Sequence, residues 1–326
     1  MTQRRTVLKG IAAAGAASLI AAPAFAQSED KSPITILVGA ASSMDFTARL
    51  IADHLRDALG RPVVVVSKLG AGGRVALNEL KRSAPDGRTL MFSTSSAFAI
   101  YPSIYNKLDY DPVADFTPIA GVAWFDLGVA ASLQTGATDM RQLMAFAKAQ
   151  SSGAVYGSAP GAGSSSHFVG IAMAQATGIP MTPVQYKDSG VGVIDMVAGR
   201  LPILITGTSP LVEMHKAGKI RILAVSGEAR SPLVPEVPTL RESGVNVVIQ
   251  NATGVFGPAK MPKEIADRIY NALMPMLNKA DARDKLAGQG MVPSPQNGAQ
   301  LGAWLQEERK RFDSLVKVSG YVREDL

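Results

Sequence analysis

Short runs of β-branched residues alternate with stretches of helical periodicity along the chain from about residue 34 onward. The first run, from Ile34 to Val38, predicts a strand, and the apolar residues after it predict a helix that ends at Gly60. Asp45 is expected to be the N-cap of that helix, and Phe46 to lie on its apolar face. Residues 62–66 predict a buried strand. This alternation favours an α/β fold with doubly wound, mainly parallel sheets.

The alternation continues along the chain, and the last third is mostly helical. Further strands are predicted at residues 89–93, 154–157, 182–186, 201–205 and 220–225, and further helices at 74–83, 140–149, 166–177, 191–198, 211–217, 263–278, 281–288 and 296–318. In open parallel sheets, ligands bind beyond the carboxyl ends of the strands. The loops that follow the carboxyl ends of predicted strands are 39–44, 93–98, 158–167 and 206–210. Two sheets that present these loops to each other would form a cleft.

The composition excludes several kinds of site. Of the 326 residues, 47% are hydrophobic and 18% are charged, which suits one large α/β unit or two lobes with a sizeable core. The chain contains no cysteine, which excludes a disulfide scaffold, a thiolate zinc site and a cysteine nucleophile. The three histidines (His54, His167 and His215) are far apart in sequence. A histidine-rich metal cage is therefore not expected. No cofactor is expected either.

Residues 1–26 have the pattern of a cleaved export signal. A basic stretch with the pair Arg4-Arg5 precedes a weakly apolar run over residues 10–22, and Ala24-Phe25-Ala26 forms a small-x-small cleavage site. The apolar run is shorter than the ~20 residues that span a bilayer. We expect cleavage after Ala26 and a periplasmic mature protein that begins at Gln27. The pattern leaves open whether export uses the twin-arginine or the general route.

The charge gives little support for binding to nucleic acid. The whole chain has 33 basic and 27 acidic residues, and removal of Arg4, Arg5 and Lys9 with the signal leaves 30 basic residues and a net charge of +3. The remaining basic residues are scattered, and only 6% of the chain is aromatic. A small-molecule ligand is therefore favoured over a nucleic acid.

The stretch from Gly157 to His167 is dense in glycine and serine and joins a predicted strand to a predicted helix. Glycines let a ligand approach the backbone, and the start of a helix favours an anion. The lysine of a Walker phosphate loop is absent from the required position. An anion site, a phosphate cradle and a plain connecting loop all remain possible at this point of the argument.

A serine hydrolase is one alternative. Gly163-Ser164-Ser165-Ser166-His167 resembles a nucleophile elbow, but His167 replaces the closing glycine that permits the tight turn. The general base would have to be His215, which lies in a helical segment. Asp109 and Asp111 fall in a polar loop with no apolar surround to raise a carboxyl pKa, so no catalytic carboxylate pair is indicated.

The stretch from Gly70 to Gly73 follows a strand and precedes a helix, as a dinucleotide-binding turn does. Its glycines lack the spacing of that fingerprint, because Ala76 stands nearest to the third glycine position. A closely packed connection between strand and helix is the favoured interpretation.

The ordered set of motifs resembles the Bug-type extracytoplasmic solute receptors of tripartite tricarboxylate transporters. The resemblance covers about residues 34–320. Its motifs include Gly70-Ala71-Gly72-Gly73, Ala84-Pro85-Asp86-Gly87, Tyr110-Asp111-Pro112, Gly161-Ala162-Gly163-Ser164-Ser165-Ser166-His167, Tyr186-Lys187 and Val237-Pro238-Thr239. It implies a two-lobed venus-flytrap receptor (a periplasmic binding protein resembling type II) without catalytic activity. Lobe one would comprise residues 27–128 and 247–326, and lobe two residues 129–246.

The resemblance also implies how the ligand is held. Family members bind a small organic carboxylate through backbone amides and hydroxyl groups of the first strand–helix loop and the Gly-Ser-rich loop. The residues expected to contact the ligand here are Ala41, Ser42, Ser43, Asp45, Thr94, Ser95, Ser96, Gly163, Ser164, Ser165, His167, Tyr186, Thr206 and Thr208. The partners would be an organic acid and membrane transporter subunits, with the receptor itself monomeric. A receptor that feeds a sensor system instead of a transporter remains a further alternative.

The chain departs from the family pattern near the expected ligand. The loop before Asp45 is two residues shorter than is usual, Thr206-Gly207 stands where many members have Asp-Asn, and Asp188 replaces a usual glycine. Ala252 occupies a common tryptophan position. Loss of an acidic residue from the cleft argues against a ligand that carries an amino group.

Overall fold

The computed structural model describes residues 31–40, 43–151 and 153–325. The predicted export signal with its cleavage site after Ala26, and the candidate ligand residues Ala41 and Ser42, lie outside these residues. Within the described part of the chain, no helix combines the length and apolar character that a bilayer crossing requires.

The strands and helices alternate over most of the chain. The strands are β1 (Ile34–Val38), β2 (Val63–Ser67), β3 (Thr89–Thr94), β4 (Phe116–Phe125), β5 (Leu127–Ser132), β6 (Ala154–Ser158), β7 (Met181–Gln185), β8 (Ile203–Gly207), β9 (Ile220–Val225), β10 (Asn251–Pro258) and β11 (Val292–Asn297). The helices are α1 (Ser43–Leu59), α2 (Arg74–Lys81), α3 (Ser96–Ala99), α4 (Tyr101–Ile104), α5 (Met140–Ala149), α6 (Ser165–Thr177), α7 (Ser189–Val197), α8 (Ser209–Lys216), α9 (Lys263–Leu277), α10 (Ala280–Gly288) and α11 (Gly298–Ser319).

The described strands form two sheets. The strand order is β11-β4-β10-β3-β1-β2 in the first sheet and β7-β6-β8-β5-β9 in the second. In the first sheet, β1, β2, β3 and β4 run in one direction, and β10 and β11 oppose them. In the second sheet, only β5 opposes the other strands. The predicted α/β fold with mainly parallel sheets is confirmed, and the opposed strands are features that the sequence pattern did not reveal.

The chain passes between the two sheets twice, and one serine joins the two passages. Asp126 is the single residue between β4 of the first sheet and β5 of the second, and residues 226–250 return the chain from β9 to β10. The Leu127 amide donates to the Ser226 hydroxyl at 3.0 Å, and that hydroxyl donates to the Ile249 carbonyl at 2.6 Å. Both passages are therefore tied together by hydrogen bonds at the point where a two-lobed protein would bend.

Helix α1 differs from its prediction at its start. It begins at Ser43, so Asp45 lies inside the first turn and the prediction that it is the N-cap is wrong. The Asp45 carboxylate accepts hydrogen bonds at 2.7 Å from both Arg49 and Ser67, and these bonds hold its pKa below the usual value. The side chain of Phe46 is 42% exposed, so its predicted place on the apolar face is also wrong. The buried face is formed by Ala48, Ile51 and Leu55.

Strand β2 lies at the edge of the first sheet rather than in its interior. It pairs only with β1 in the strand order, and Val64 is 50% exposed. The run of four valines predicted a buried strand because apolar residues fill both faces. That prediction is wrong because the sheet ends at β2, which leaves part of one face without a covering element.

The hydrophobic core around the second sheet extends to helices from other parts of the chain. One cluster of buried side chains contains residues of α3 and α4, the second sheet, α6 and α11. In it, Phe168 of α6 packs edge-on against Phe312 of α11, with ring centroids 5.8 Å apart. Burial of a side chain of this size stabilises the fold by about 1.5–3 kcal/mol. Helix α6, which begins at the Gly-Ser-rich loop, is therefore packed firmly against the last long helix.

Candidate functional site

A cavity of 440 Å³ lies between loops that follow strands of the two sheets. The first sheet contributes Thr94, Ser96 and Asn251 to its wall, and the second contributes hydroxyl groups of the Gly-Ser-rich loop together with Ser189 and Thr206. Among the described residues that line this cavity, none has a charged side chain. Any ionic ligand held here would therefore depend on backbone amides, hydroxyl groups and helix dipoles.

The Gly-Ser-rich loop leads into α6, whose start faces the cavity. Ser164 is the N-cap, and its hydroxyl accepts from the His167 amide at 3.2 Å. The amides of the next two residues, Ser165 and Ser166, have no acceptor within the helix because they belong to its first turn. Both residues line the cavity, and no acidic residue occupies this turn. These amides and the helix dipole give the cavity wall a partial positive charge suited to an anion.

The serine hydroxyls of this loop differ in their hydrogen bonds. The Ser166 hydroxyl donates to the Ala159 carbonyl at 2.8 Å, and the Ser164 hydroxyl donates to the Gly161 carbonyl at 2.7 Å. The Ser165 hydroxyl makes no comparable bond to a carbonyl of the loop, and its residue lines the cavity. The first two hydroxyls thus hold the loop in shape, and the third is the one available to a ligand.

His167 supports the loop without lining the cavity. Its Nδ1 accepts a hydrogen bond from the Gly163 amide at 3.1 Å, and its ring lies beside Phe168 and Tyr321. Burial lowers the pKa of the imidazole, so the neutral form that accepts this bond is favoured. Gly163 has a φ of 68°, and a Cβ atom there would approach Ile104 Cδ1 to 2.6 Å. The positive φ favours glycine here, and an added Cβ atom would have to displace this methyl group.

The wall from the first sheet carries an amide side chain with an unused donor. Asn251 begins β10, is 1% exposed and lines the cavity. Its Nδ2 has no hydrogen-bond partner among the described residues, and its Oδ1 accepts a long hydrogen bond of 3.4 Å from Ser96. Ser95 anchors this strand, since its hydroxyl accepts from the Ala252 amide at 3.1 Å. A buried donor without a partner is costly, and this Nδ2 is sealed from the cavity by the atoms packed around it.

Two tyrosines form another part of the wall. Tyr101 donates to the Gly72 carbonyl at 2.9 Å, and burial raises the pKa of Tyr101 to about 12. Tyr105 packs edge-on against Tyr101, and the Arg74 guanidinium lies 4.8 Å from the Tyr105 ring centre. Met44, Phe125 and Leu127 add apolar surface. The cavity therefore combines hydrogen-bonding groups with room for an apolar body.

The turn from Gly70 to Gly73 packs closely against the first strand–helix loop. A Cβ atom on Gly39 would lie 2.5 Å from the Gly73 Cα, and Gly73 has a φ of 90°. The favoured interpretation of this turn as a closely packed connection agrees with that geometry.

The structure brings together part of the predicted set of ligand residues. Thr94, Ser96, Gly163, Ser164, Ser165 and Thr206 line the cavity. Ser43, Asp45, Ser95, His167, Tyr186 and Thr208 do not line it. The Tyr186 hydroxyl donates to Asp195 at 2.9 Å, and the Thr208 hydroxyl donates to Asp126 at 2.7 Å. Both hydroxyls are therefore bonded to side chains of the protein itself. That the lining residues contact a ligand remains a prediction.

Several lining residues escaped the sequence-based prediction. Asn251, Tyr101, Tyr105, Phe125 and Ser189 line the cavity without having been predicted. Asn251 and Phe125 are paired neighbours on β10 and β4, which are antiparallel to each other and were not predicted as strands. Tyr101 is the first residue of the short helix α4, and Tyr105 follows its last residue. Only Ser189 had a local signal, because it follows the N-cap Asp188 at the start of α7.

The serine and histidine of the hydrolase alternative belong to different cavities. Ser165 lines the cavity between the sheets, whereas His215 lines another, of 450 Å³, together with Arg141. His215 Nδ1 accepts from the Ile222 amide at 3.1 Å, and its Nε2 lies 3.4 Å from Glu236. The structure therefore does not form the nucleophile–base pair that this alternative needs.

The chain is similar in sequence to known proteins over most of its length. The sequence model described as "Tripartite tricarboxylate transporter family receptor" matches residues 47–321. A UPF0065 protein of Bordetella bronchiseptica is 31% identical over 303 residues, which are 91% of this chain and 88% of that protein.

Two solved structures from Rhodopseudomonas palustris are similar in fold. One, Rpa4515 with adipate, is 26% identical with a TM-score of 0.80, over 91% of this chain and 99% of that one. The other, MatC with bound malate, is 26% identical with a TM-score of 0.74, over 87% of this chain and 99% of that one.

Proposed function

The chain belongs to the tripartite tricarboxylate transporter receptor family, and we propose that it is a periplasmic receptor for a small organic carboxylate, without catalytic activity. Its signal would be removed after Ala26, and the mature protein would deliver its ligand as a monomer to transporter subunits in the membrane. The receptors that hold adipate and malate support a carboxylate as the ligand.

The main support for this proposal is that helix α6 begins in the cavity wall. The amides of Ser165 and Ser166, the Ser165 hydroxyl and the helix dipole all favour an anion at one place. A carboxylate has the acceptor atoms that these donors require. A catalytic function has no such support, because Ser165 lacks a neighbouring base in the described structure.

Ligand binding in this proposal is coupled to movement of two lobes. Lobe one would comprise residues 27–128 and 247–326, lobe two residues 129–246, and the bend would lie at the passages around Asp126 and Ser226. A ligand that contacts Thr94 or Ser96 on one lobe and Ser165 on the other stabilises the closed form. When the lobes separate, the ligand keeps its contacts with only one of them.

A thermal-shift screen of mature protein, residues 27–326, tests this function. Mono-, di- and tricarboxylates, aromatic acids, amino acids and neutral analogues of the same shape would be compared. An acid present at about 100 times its Kd stabilises the native state by about 2.7 kcal/mol, which is a visible shift in Tm. Stabilisation by a subset of acids, with the acid recovered unchanged, is expected. Stabilisation by neutral analogues alone, or chemical conversion of the acid, would overturn the proposal.

A further inference from the structure

The segment of residues 321–325 follows α11 and is attached by its backbone to the cavity wall. The Glu324 amide donates to the Ile104 carbonyl at 2.9 Å, and the Asn106 amide donates to the Glu324 carbonyl at 3.0 Å. These two bonds form a parallel bridge between Tyr105 and Glu324. Ile104 and Tyr105 line the cavity, whereas none of the residues 321–325 does. The segment therefore supports the wall contributed by α4 and is not part of the wall itself.

Tyr321 attaches the same segment to the start of α6. Its ring centre lies 5.6 Å from that of His167 and 5.7 Å from that of Phe168. A Cβ atom on Gly163 would approach Tyr321 Oη to 2.9 Å, so the tyrosine packs directly against the backbone of the Gly-Ser-rich loop. Tyr321 therefore contacts both the glycine and the histidine whose mutual hydrogen bond shapes this loop.

The side chain of this segment that packs against the protein interior is that of Tyr321. Val322 is 83% exposed and the three residues after it are exposed, whereas Tyr321 is half-buried. The segment therefore does not serve to cover a large apolar surface. Burial and the hydrogen bond to Glu324 raise the pKa of Tyr321, so its hydroxyl keeps its proton and acts as a donor.

One hydrogen bond joins the attachment at α4 to the packing against the loop. The Tyr321 hydroxyl donates to the Glu324 carboxylate at 2.5 Å, and the backbone of Glu324 is the part bonded to α4. The loop at the other end contains Gly161 and Gly163 with φ of 55° and 68°. Glycine loses more conformational freedom on ordering than any other residue, so a loop of this kind needs contacts that hold it.

Resting on the proposed function, we infer that Tyr321 is a positioning residue for ligand binding and that Glu324 orients it. The segment 321–325 holds the Gly-Ser-rich loop in the conformation that presents the amides at the start of α6 to a carboxylate. Tyr321 does not touch the ligand and acts through Gly163 and His167. A binding loop that is already fixed in its bound conformation loses less conformational entropy when the ligand arrives, which raises affinity.

Amide hydrogen exchange of the ligand-free mature protein, residues 27–326, tests the positioning at Gly163. In Tyr321→Ala, the Gly163 amide should exchange about tenfold faster, because less free energy is needed to break its bond to His167. Tyr321→Phe should have a smaller effect, since it keeps the ring and loses the hydroxyl. Val322→Ala is the matched control, because that neighbouring side chain is exposed, and its exchange should equal that of the wild type.

The amides of β8, at the centre of the second sheet, report on the stability of the whole fold in the same experiment. A positioning role requires that exchange at Gly163 accelerates more than exchange in β8. Equal acceleration at both places, or an unchanged rate at Gly163 in Tyr321→Ala, overturns the inference.

Calorimetry with adipate and with malate at pH 8 extends the test to binding. Burial keeps the pKa of His167 below its ordinary value of 6.5, although the Glu324 carboxylate raises it, so the ring is neutral at this pH in every variant. Tyr321→Ala should weaken binding of both acids by the same factor of about ten, because the tyrosine contacts the loop and not the ligand. A factor that differs between the two acids would contradict this indirect action.

A double-mutant cycle tests whether Glu324 acts through Tyr321. Tyr321→Phe and Glu324→Ala should each weaken binding about threefold, and the double variant no more than either alone, because both remove the same hydrogen bond. Independent losses would show that Glu324 does not orient Tyr321. If neither acid binds the wild type, the wider screen of carboxylates decides the proposed function, and the exchange rate at Gly163 still decides whether Tyr321 positions the loop.

Discussion

The Gly163 amide donates a hydrogen bond to Nδ1 of His167 at 3.1 Å, so a buried imidazole fixes the loop that carries the cavity serines. The two residues are four apart, and the loop between them turns into α6. Support of the loop therefore depends on the protonation state of one ring, because Nδ1 can accept this bond only when it carries no proton.

Acidification should therefore weaken ligand binding through His167. Burial lowers the pKa of this group from its ordinary value of 6.5, so the unfolded chain takes up the proton first. Stability is lost as the pH falls from about 6.5 toward the lower pKa of the folded state, and is constant below it. Ligand affinity is expected to fall only when the pH drops through that lower folded-state pKa, because there the ring of the folded protein takes up the proton. In His167→Gln, whose side-chain oxygen also accepts from an amide, both losses should shrink; an unchanged pH profile in binding titrations would contradict this role.

Substitution of Gly163 by alanine should damage both stability and binding. The added Cβ meets Ile104 Cδ1 at 2.6 Å, in addition to the cost of a φ of 68°. Gly161→Ala is a matched control, because Gly161 has a φ of 55° and a Cβ atom there would meet no other atom within 4 Å. Urea unfolding should show a loss of about 1 kcal/mol for Gly161→Ala and about 2–4 kcal/mol for Gly163→Ala. Equal losses would show that the contact with Ile104 is unimportant.

Ser165→Ala should separate binding from stability. Its hydroxyl lies at the cavity wall and does not hold the loop in shape, so Tm should stay within the error of the measurement. Loss of a hydrogen bond to a carboxylate should weaken binding about tenfold or more. Ser166→Ala is the opposite case, since its hydroxyl bonds to the Ala159 carbonyl and its loss should lower stability by about 1 kcal/mol. An intact affinity in Ser165→Ala would remove this hydroxyl from the site.

The buried Asp126 between the sheets should make stability depend on pH in the opposite sense to His167. Burial raises the pKa of this carboxyl above its ordinary value of 3.8, so stability is lost as the pH rises from about 3.8 through the folded-state pKa. Asp126→Asn should be at least as stable as the wild type at pH 8, and the difference should vanish toward pH 3.8.

Substitution of Thr208 tests the contribution of its hydrogen bond to the Asp126 carboxyl group. Its hydroxyl donates to Asp126 Oδ1 at 2.7 Å, and both side chains are buried. Thr208→Val should lower the free energy of unfolding by about 1–3 kcal/mol at pH 7, because a buried carboxylate loses its donor. In the Asp126→Asn background the same substitution should cost less, which a double-mutant cycle of urea unfolding would measure.

The sequence pattern was most informative for short β-rich segments and for helices with a regular apolar period. The bounds of β1, β9 and α5 follow from the pattern to the residue. Strands β4, β10 and β11 escaped it because they contain prolines, glycines and polar residues, such as Pro118 and Gly121 in β4. Their register shifts break the alternation on which a strand prediction depends.

The candidate site was predictable only in part for the same reason. Thr94 and Thr206 lie at the carboxyl ends of β3 and β8, and Ser165 follows the loop after β6, so the rule that ligands bind at the carboxyl ends of parallel strands found them. Asn251 comes from the antiparallel strand β10, and only the three-dimensional structure shows that this residue lines the cavity. His167 was placed in the loop 158–167, whereas it lies in the first turn of α6, and no local pattern shows that its ring turns toward Gly163 and away from the cavity.

The most direct test of the receptor function is calorimetry of the mature protein with the strongest acid from the screen, followed by NMR of the recovered ligand. The account predicts binding of one acid per chain, a loss of affinity in Ser165→Ala at unchanged Tm, and a ligand recovered without chemical change. A ligand converted into product, or a saturable affinity that is unchanged in Ser165→Ala, would contradict it.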